Sequence, residues 1–387
     1  MKYRRFGKLD WKTSALGFGC MRLPTIDGES ANIDEPEATR MLHYAIDHGV
    51  NYVDTAYPYH SGNSEHFVGR ALQGGYRDQV KLATKLPCWL IEAAGDFDKY
   101  LNEQLEKLQT DHIDFYLLHS LSEKTWHKVR DLDVLEWAER AIADGRIGHI
   151  GFSFHDKYEV FQEIVDAYER WTFCQIQYNY MDTENQAGVK GLQYAASKGM
   201  AVVIMEPLLG GKLVDPPDPI QAVWDTSPVK RRPADWALQW LWNQPEASVV
   251  LSGMSAMQHV EENVASAGGS GINILTEEEL ALVDRVRVKY DELCPIACTK
   301  CGYCMPCPNG VDIPRNFAVY NEGVMYEKPD AARGGYKWIS EEARASACIQ
   351  CRECEDKCPQ SIPISEYMPL VHEVLGEGKP YEACPLP

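Results

Sequence analysis

Ala15-Leu16-Gly17-Phe18-Gly19-Cys20-Met21 is the stretch on which the fold turns. Its apolar start reads as a strand, and two glycines follow at the spacing that opens a dinucleotide-binding turn. A doubly wound open sheet would carry G-x-G-x-x-G after its first strand, and the third glycine is missing here. Seven more strand-like runs follow: Asn51–Thr55, Val80–Thr84, Ile113–Leu118, Ile147–Ser153, Phe173–Tyr178, Ala201–Met205 and Ser248–Ser252. Most are near-continuous apolar runs, as parallel strands buried on both faces require. Amphipathic helical stretches lie between them. Asp34 caps the first, with Glu37 three residues on, and Gly49 closes it. Leu101, Leu105 and Leu108 fall at helical spacing within Phe97–Leu108. Pro233 stands at a helix N1 position ahead of Trp236, Leu238, Trp240 and Leu241. Eight strand-plus-helix units point to an α/β fold of the closed (β/α)8 type, a TIM barrel, with the open sheet as the alternative.

Composition agrees with a globular protein: 387 residues, 45% hydrophobic and 25% charged. No run of about 18 apolar residues exists, so no transmembrane helix is expected. Met1–Gly7 lacks the apolar core of a signal peptide, so export by that route is not expected. The net charge of −19, from 38 basic and 57 acidic residues, disfavours a sequence-independent grip on nucleic acid or acidic lipid.

The 13 cysteines divide the chain. Cys20, Cys88 and Cys174 are spread over the first 293 residues, and the other ten crowd into the last 94. An odd number without an export signal argues against a disulfide framework. A capping box at Thr276 and Glu279 opens a helix reaching to about Leu293, and Ala267–Gly271 before it reads as a loop. From Cys294 the texture turns to short segments broken by cysteine, proline and glycine. The expected organisation is a barrel over residues 1–290 and a small, mainly helical, ferredoxin-like module over 291–387.

Cys348, Cys351, Cys354 and Cys358-Pro359 match the bacterial ferredoxin run C-x2-C-x2-C-x3-C-P at every spacing. Cys298, Cys301, Cys304 and Cys307-Pro308 match it except that the last gap is two residues. Three thiolates at this spacing wrap one cubane, and the cysteine before proline ligates the other cluster. One [4Fe-4S] cluster would thus take Cys298, Cys301, Cys304 and Cys358, and the second Cys348, Cys351, Cys354 and Cys307. Two structural zinc sites are the alternative, but zinc ribbons use separated C-x2-C pairs and need no trailing proline. Cys294 and Cys384 read as spare thiols.

Chemistry in a (β/α)8 barrel sits at the C-terminal strand ends. The second run is followed by Asp54-Thr55-Ala56-Tyr57-Pro58-Tyr59 and then Ser64-Glu65; the third ends in Thr84-Lys85, the fourth in Leu118-His119-Ser120. Asp54, Lys85 and His119 are thus titratable groups at successive strand ends. A lysine paired with an aspartate there would lower the pKa of a nearby phenol.

Over essentially its whole length the chain resembles an aldo-keto reductase of the subfamily with a C-terminal ferredoxin-like domain. The residues that carry the resemblance are Asp54-Thr55-Ala56, Tyr59, Ser64-Glu65, Thr84-Lys85, Leu118-His119, Gly151-Phe152-Ser153, Gln175-x-Gln177-Tyr178-Asn179, Pro207-Leu208, Gly210-Gly211-Lys212, Gly253 and Glu262-Asn263. The resemblance implies a catalytic tetrad of Asp54, Tyr59, Lys85 and His119. Tyr59 would protonate the carbonyl oxygen as a hydride arrives from NADPH or NADH; Lys85, held by Asp54, would tune the phenol; His119 would orient the carbonyl or share the proton. Tyr57 competes with Tyr59 and fits better as a packing or substrate-facing ring.

The same resemblance implies cofactor contacts from Ser153, Gln175, Pro207, Leu208, Gly210, Lys212, Gly253, Ser255, His259, Glu262 and Asn263. The sequence departs from the family at Phe154, where many members have asparagine, and at Met205, where an aromatic often stacks on the nicotinamide. Gly253–His259 carries no fixed positive charge for a 2′-phosphate, which leaves the choice of NADPH over NADH open. Lys230-Arg231-Arg232 precedes the Pro233 helix, where cations oppose the macrodipole. Arg231 and its neighbours are read either as a contact to cofactor pyrophosphate or an acidic substrate, or as a solvated loop.

Hydride transfer moves two electrons, whereas each cluster passes one. The first reading is a carbonyl reductase, acting on a small aldehyde, ketone or alcohol, whose clusters staple the tail or sense redox state. The second is a cluster-linked oxidoreductase passing single electrons from a redox protein partner to a flavin or substrate; no flavin signature is visible. The third is a non-catalytic subunit, which the intact tetrad opposes. Oxygen-sensitive clusters imply a reducing cytoplasm, as in an anaerobe. Tyr57, Trp89, Tyr180 and Trp224 are aromatic candidates for an apolar or sugar-like substrate, with core packing as the alternative.

Overall fold

The computed structural model describes residues 1–383, and Cys384 lies outside the described residues. A hairpin opens the chain: β1 (Tyr3–Arg5) pairs antiparallel with β2 (Lys12–Ser14). Then come β3 (Leu16–Gly19), β4 (Tyr52–Asp54), β5 (Lys81–Leu86), β6 (Ile113–Leu121), β7 (Ile147–Phe154), β8 (Phe173–Gln177), β9 (Ala201–Met205) and β10 (Ala247–Ser252). These eight form a closed parallel barrel in chain order, shut by β10 against β3 with Val250 opposite Leu16. The closed barrel, not the open sheet, is therefore the fold.

The glycines of the opening stretch serve that closure. A Cβ on Gly17 would lie 2.7 Å from Leu251 Cδ2 and 2.8 Å from Val249 Cγ1, so the missing side chain makes room for β10 residues inside the barrel. The barrel's inner cluster comprises Tyr52, Ala83, Phe115, Leu117, Phe173, Ala201, Val203, Val249 and Leu251, floored by Phe6 from the hairpin. The side-chain period of two then decides what comes next along each inward row. Two residues beyond Tyr52 is Asp54, beyond Ala83 is Lys85, beyond Leu117 is His119, and beyond Phe173 is Gln175. Each row thus passes from apolar packing to a polar group at its C-terminal end.

The outward strand residues pack under the helices in the main core, with Leu42, Val53, Phe67, Leu101, Trp137 and Phe161 among its members. Asp34 caps the helix Glu35–Asp47 by accepting from the Glu37 amide at 3.2 Å, and a helix starts at Pro233, as the sequence predicts. One expectation holds only in part: Gly269, Ser270 and Gly271 lie outside any helix, but Ala267 and Gly268 do not. The helix Met257–Gly268 runs into the stretch Ala267–Gly271 read as a loop, because Val260, Asn263, Val264 and Ala267 form one continuous buried face.

The described chain divides into two compact units, Met1–Gly210 with Ala234–Thr276, and Gly211–Pro233 with the residues from Glu277 onward. In the second unit, helices Asp218–Trp224, Glu277–Glu292, Ile313–Met325, Pro329–Lys337 and Ile364–Leu375 alternate with short turns. Its core gathers Phe317, Tyr320, Tyr336, Met368, Val371 and Val374. Two buried asparagines on Ile313–Met325 tie down neighbouring loops. Asn316 donates to the Asp312 and Ala343 carbonyls and accepts from the Ala345 amide; Asn321 exchanges hydrogen bonds with both backbone groups of Ile296. Among the described residues no helix is long and apolar enough to cross a membrane.

Candidate active site and cysteine sites

At the C-terminal mouth of the barrel, Lys85 Nζ donates to Asp54 Oδ1 at 2.7 Å, to the Thr55 carbonyl at 2.7 Å and to the Tyr59 hydroxyl at 3.3 Å. Lys85 is fully buried and Asp54 nearly so, with the second carboxylate oxygen left without a partner. Burial pushes the Asp54 carboxyl up, and Lys85 partly offsets this. For Lys85, burial works against the charge, but Asp54 and Tyr59 outweigh it and raise the ammonium pKa. Burial raises the Tyr59 phenol, with Lys85 pulling the other way. The lysine therefore tempers the phenol without bringing it below its ordinary value. Tyr59 itself is half-buried.

His119 lies edge-on to Tyr59, ring centroids 6.1 Å apart, and its Nδ1 is buried without a partner. Protein surrounds the ring, although part of it stays accessible. Burial, then the charge of Lys85, then His155, holds its pKa well below 6.5, so the imidazole is neutral at pH 7. The four predicted catalytic side chains are thus gathered in one place.

The backbone is shaped for this. After Tyr59, His60 and Ser61 adopt left-handed conformations with φ of 52° and 56°, and Gly62 follows at 92°. His60 is pinned: Nδ1 donates to the Ser30 carbonyl at 2.7 Å, and Nε2 accepts from the Leu23 amide at 3.2 Å. Strained residues of this kind persist where their surroundings over-determine them.

The predicted cofactor residues divide. Ser153 Oγ accepts from the Ser120 amide at 2.7 Å. Gln175 reaches Met205 Sδ at 3.6 Å and leaves its Oε1 buried without a partner. Phe154 is fully buried, edge-on to Phe161, and so faces the helix layer rather than the mouth. Pro207 is buried, Leu208 is half-buried, and Leu209 and Gly210 are both left-handed. Gly253, Ser255 and His259 are exposed; Asn263 donates to Ser252 Oγ at 3.0 Å, and Glu262 accepts from Gln258 at 2.7 Å.

The predicted cations of the second unit are engaged within it. Lys212 pairs with Glu322 at 2.6 Å, Arg231 pairs with Glu279, and Lys230 donates to the Asp225 carbonyl at 3.0 Å. Of the three cations ahead of the Pro233 helix, Arg231 is thus ion-paired and Lys230 is held by a backbone carbonyl.

Sequence reasoning passed over Arg22. It is exposed, its stem lies along Gly253, where a Cβ would meet Arg22 Cγ at 2.8 Å, and its Nη2 would stand 3.9 Å from a Cβ on Gly210. Among the described residues its side chain makes no hydrogen bond or ion pair. Of the four aromatic candidates, Tyr180 and Trp224 are buried, and Tyr57 is held by Lys107 over its ring at 3.9 Å and by Glu103 at 3.1 Å. Trp89 is 41% exposed, with its ring 5.0 Å from that of His119.

In the second unit, one cavity is lined by Cys298, Cys301, Cys304 and Cys358, and another by Cys307, Cys348, Cys351 and Cys354. These are the two sets expected from the spacing, including the exchange of the fourth cysteine. Among the described residues no three His, Cys, Asp or Glu side chains gather tightly enough to hold a single ion; each set of four thiols rings a space instead. Burial, and then neighbouring thiols, push Cys298 and Cys348 upward. The cysteines of the barrel differ. Cys20, Cys88 and Cys174 are fully buried, and burial pushes Cys88 up to about 12.

Comparison with known proteins agrees with this geometry. Residues 15–287 match the model of the aldo/keto reductase family, and residues 297–362 match a 4Fe-4S dicluster domain. The chain therefore belongs to the aldo/keto reductase family, with a 4Fe-4S domain following the barrel, and is an oxidoreductase. It is 28% identical over 288 residues to L-galactose dehydrogenase of Arabidopsis thaliana, covering 69% of this chain and 88% of that one. Among solved structures it is similar to the aldo-keto reductase AKR11C1 of Bacillus halodurans in its holo form, with a TM-score of 0.62 and 28% identity over 74% of this chain and 96% of that one. It is also similar to an aldo/keto reductase of Klebsiella pneumoniae in complex with NADP and acetate, with a TM-score of 0.58 and 25% identity over 74% and 95% of the chains.

Proposed function

We propose that the barrel reduces a small aldehyde or ketone, or oxidises the corresponding alcohol, with NAD(P)H, and that two [4Fe-4S] clusters occupy the cysteine sets. The observation that carries the first half is Lys85, wholly buried and bonded at once to Asp54 and the Tyr59 hydroxyl. Bound nicotinamide cofactor would supply the hydride. The chain's own part is the proton: Tyr59 Oη, still carrying its hydrogen at neutral pH, gives it to the carbonyl oxygen. The Lys85 ammonium stabilises the phenolate left behind, and Asp54 keeps that ammonium charged and aimed. Neutral His119, opposite Tyr59, fixes the carbonyl.

The residues fit the cofactor. The unpartnered Gln175 Oε1 accepts from an amide, as the nicotinamide carboxamide requires, and Ser153 retains a hydroxyl to donate. Loops after the last two barrel strands are a recurrent phosphate site, and Arg22 lies against Gly210 and Gly253 there. Its guanidinium is the charge the Gly253–His259 segment lacks, and it would serve the diphosphate shared by NADH and NADPH. The thiols fit clusters equally well: eight sulfur donors stand in two sets of four, each around a space rather than a point.

Anaerobic reconstitution and NADPH titration test both halves. The reading expects about eight irons per chain by the two-cluster count and aldehyde reduction in which the visible cluster bands stay unchanged. Bleaching of those bands by NADPH would favour the cluster-linked alternative, in which single electrons pass to a flavin or substrate. Four irons per chain would remove the second cluster.

A further inference from the structure

Ser64 and Glu65 are buried polar residues for which the proton chemistry has no direct use. They open the helix Asn63–Ala71, immediately after the left-handed turn that follows Tyr59. Ser64 Oγ lies 2.8 Å from Thr55 Oγ1 and donates to the Cys20 carbonyl at 3.3 Å. Glu65 Oε1 accepts from Thr84 Oγ1 at 2.6 Å and from Gln104 Nε2 at 2.5 Å. The same Gln104 amide donates to the Lys85 carbonyl at 3.0 Å, and its Oε1 accepts from Tyr116 at 2.6 Å. Thr55 and Thr84 are the chain neighbours of Asp54 and Lys85.

We propose that the Ser64-Glu65 pair is a positioning clamp that sets the Asp54–Lys85–Tyr59 triangle from outside the barrel. One helix end carries Tyr59 through a rigid turn, grips the β4 end through Thr55, and grips the β5 end through Thr84 and Gln104. Neither residue touches Tyr59 Oη or Lys85 Nζ, so the pair acts through backbone placement. Both side chains of the clamp have few alternatives. A buried acceptor bonded to two donors cannot be removed without leaving those donors unpaired. Glu65 Oε2 has no hydrogen bond, and Lys107 at 3.9 Å is the facing cation, with Glu103 beyond it. A carboxylate in the first turn of the helix is also on the favourable side of its dipole.

The inference rests on the proposed role of Tyr59, and its test separates the two. Reconstituted holoenzyme is assayed with NADPH and 4-nitrobenzaldehyde, following kcat, KM and the alkaline limb of the pH profile. Glu65→Ala should lower kcat about 100-fold, as small misplacements of reacting groups do, with KM for NADPH within about threefold. The alkaline limb should move to higher pH, because a displaced Lys85 no longer holds the phenol down; Asp54, Cys20 and His119, the other groups facing Tyr59, are untouched. Glu65→Gln keeps an oxygen for both donors and should retain activity within about threefold. Thr84→Val, which removes one grip at constant size, should fall about tenfold and shift the limb in the same direction, and it replaces Glu65→Ala if that variant does not fold. An unchanged kcat in Glu65→Ala or Thr84→Val, a limb that does not move, or a Glu65→Gln as impaired as Glu65→Ala would each overturn the clamp. If Tyr59→Phe is inactive while Glu65→Ala is normal, the clamp alone fails; if Tyr59→Phe is fully active, the reading of the site fails with it.

Discussion

In the barrel, Asp54 and Lys85 are paired at 2.7 Å, sealed from water, and backed by Thr55, Thr84 and Gln104. Eight of the second unit's cysteines sit on short turns around two spaces, with Cys301 and Cys351 exposed. The first site holds its shape through bonds the chain makes to itself. The second presents donors to something the chain does not contain. Preorganisation of this kind is what acid–base chemistry needs, whereas a ligand set is completed by its metal.

The contrast breaks most visibly under metal removal. Structural metal sites carry on the order of 10 kcal/mol of folding free energy. Chelating iron from the reconstituted protein should therefore collapse amide protection around residues 296–312 and 344–362, while β3–β10 keep theirs. Hydrogen exchange read by mass spectrometry checks this, and equal loss in both regions would contradict it.

The next effect lies inside the barrel. Lys85→Met leaves the Asp54 carboxylate buried and unpaired, a loss of about 3–5 kcal/mol. Adding Asp54→Leu should recover most of it in a denaturant melt, although neither variant regains activity. Gly17→Ala should cost about 1–3 kcal/mol by overpacking, since the new methyl meets Leu251 and Val249.

Smaller again, Arg22→Ala should raise the Kd of NADPH and of NADH alike by about tenfold, or about 1.4 kcal/mol. A change confined to NADPH would move the arginine to the 2′-phosphate. The mildest expectation concerns pH. Because His119 is held neutral well below 6.5, aldehyde reduction should show no step from its protonation between about pH 6 and 8. An acid limb near 6.5 that vanishes in His119→Gln would oppose this.

Much of this was legible because two periodicities cannot be disguised. Near-continuous apolar runs gave all eight barrel strands, and Asp54, Lys85 and His119 stood out where those runs turned polar. Three-residue cysteine spacing marked both sets of four thiols that line the two cavities, down to the exchange of Cys307 and Cys358. The hairpin escaped because Tyr3–Arg5 and Lys12–Ser14 are three residues each and largely charged or polar, with no apolar alternation to count. Arg22 escaped for a different reason. Its neighbour Gly253 is more than two hundred residues away in sequence, and they meet only because β10 closes on β3. Aromatic identity likewise does not tell Trp89, open at the mouth, from Trp224, fully packed.

The most direct test of the account is the rate of NADPH-dependent aldehyde reduction by Tyr59→Phe against wild type, both reconstituted anaerobically with equal iron content. Loss of the general acid should lower kcat by about 100- to 10,000-fold while NADPH still binds with unchanged affinity. A Tyr59→Phe variant that reduces the aldehyde at the wild-type rate would contradict the account, because the proton would then come from elsewhere.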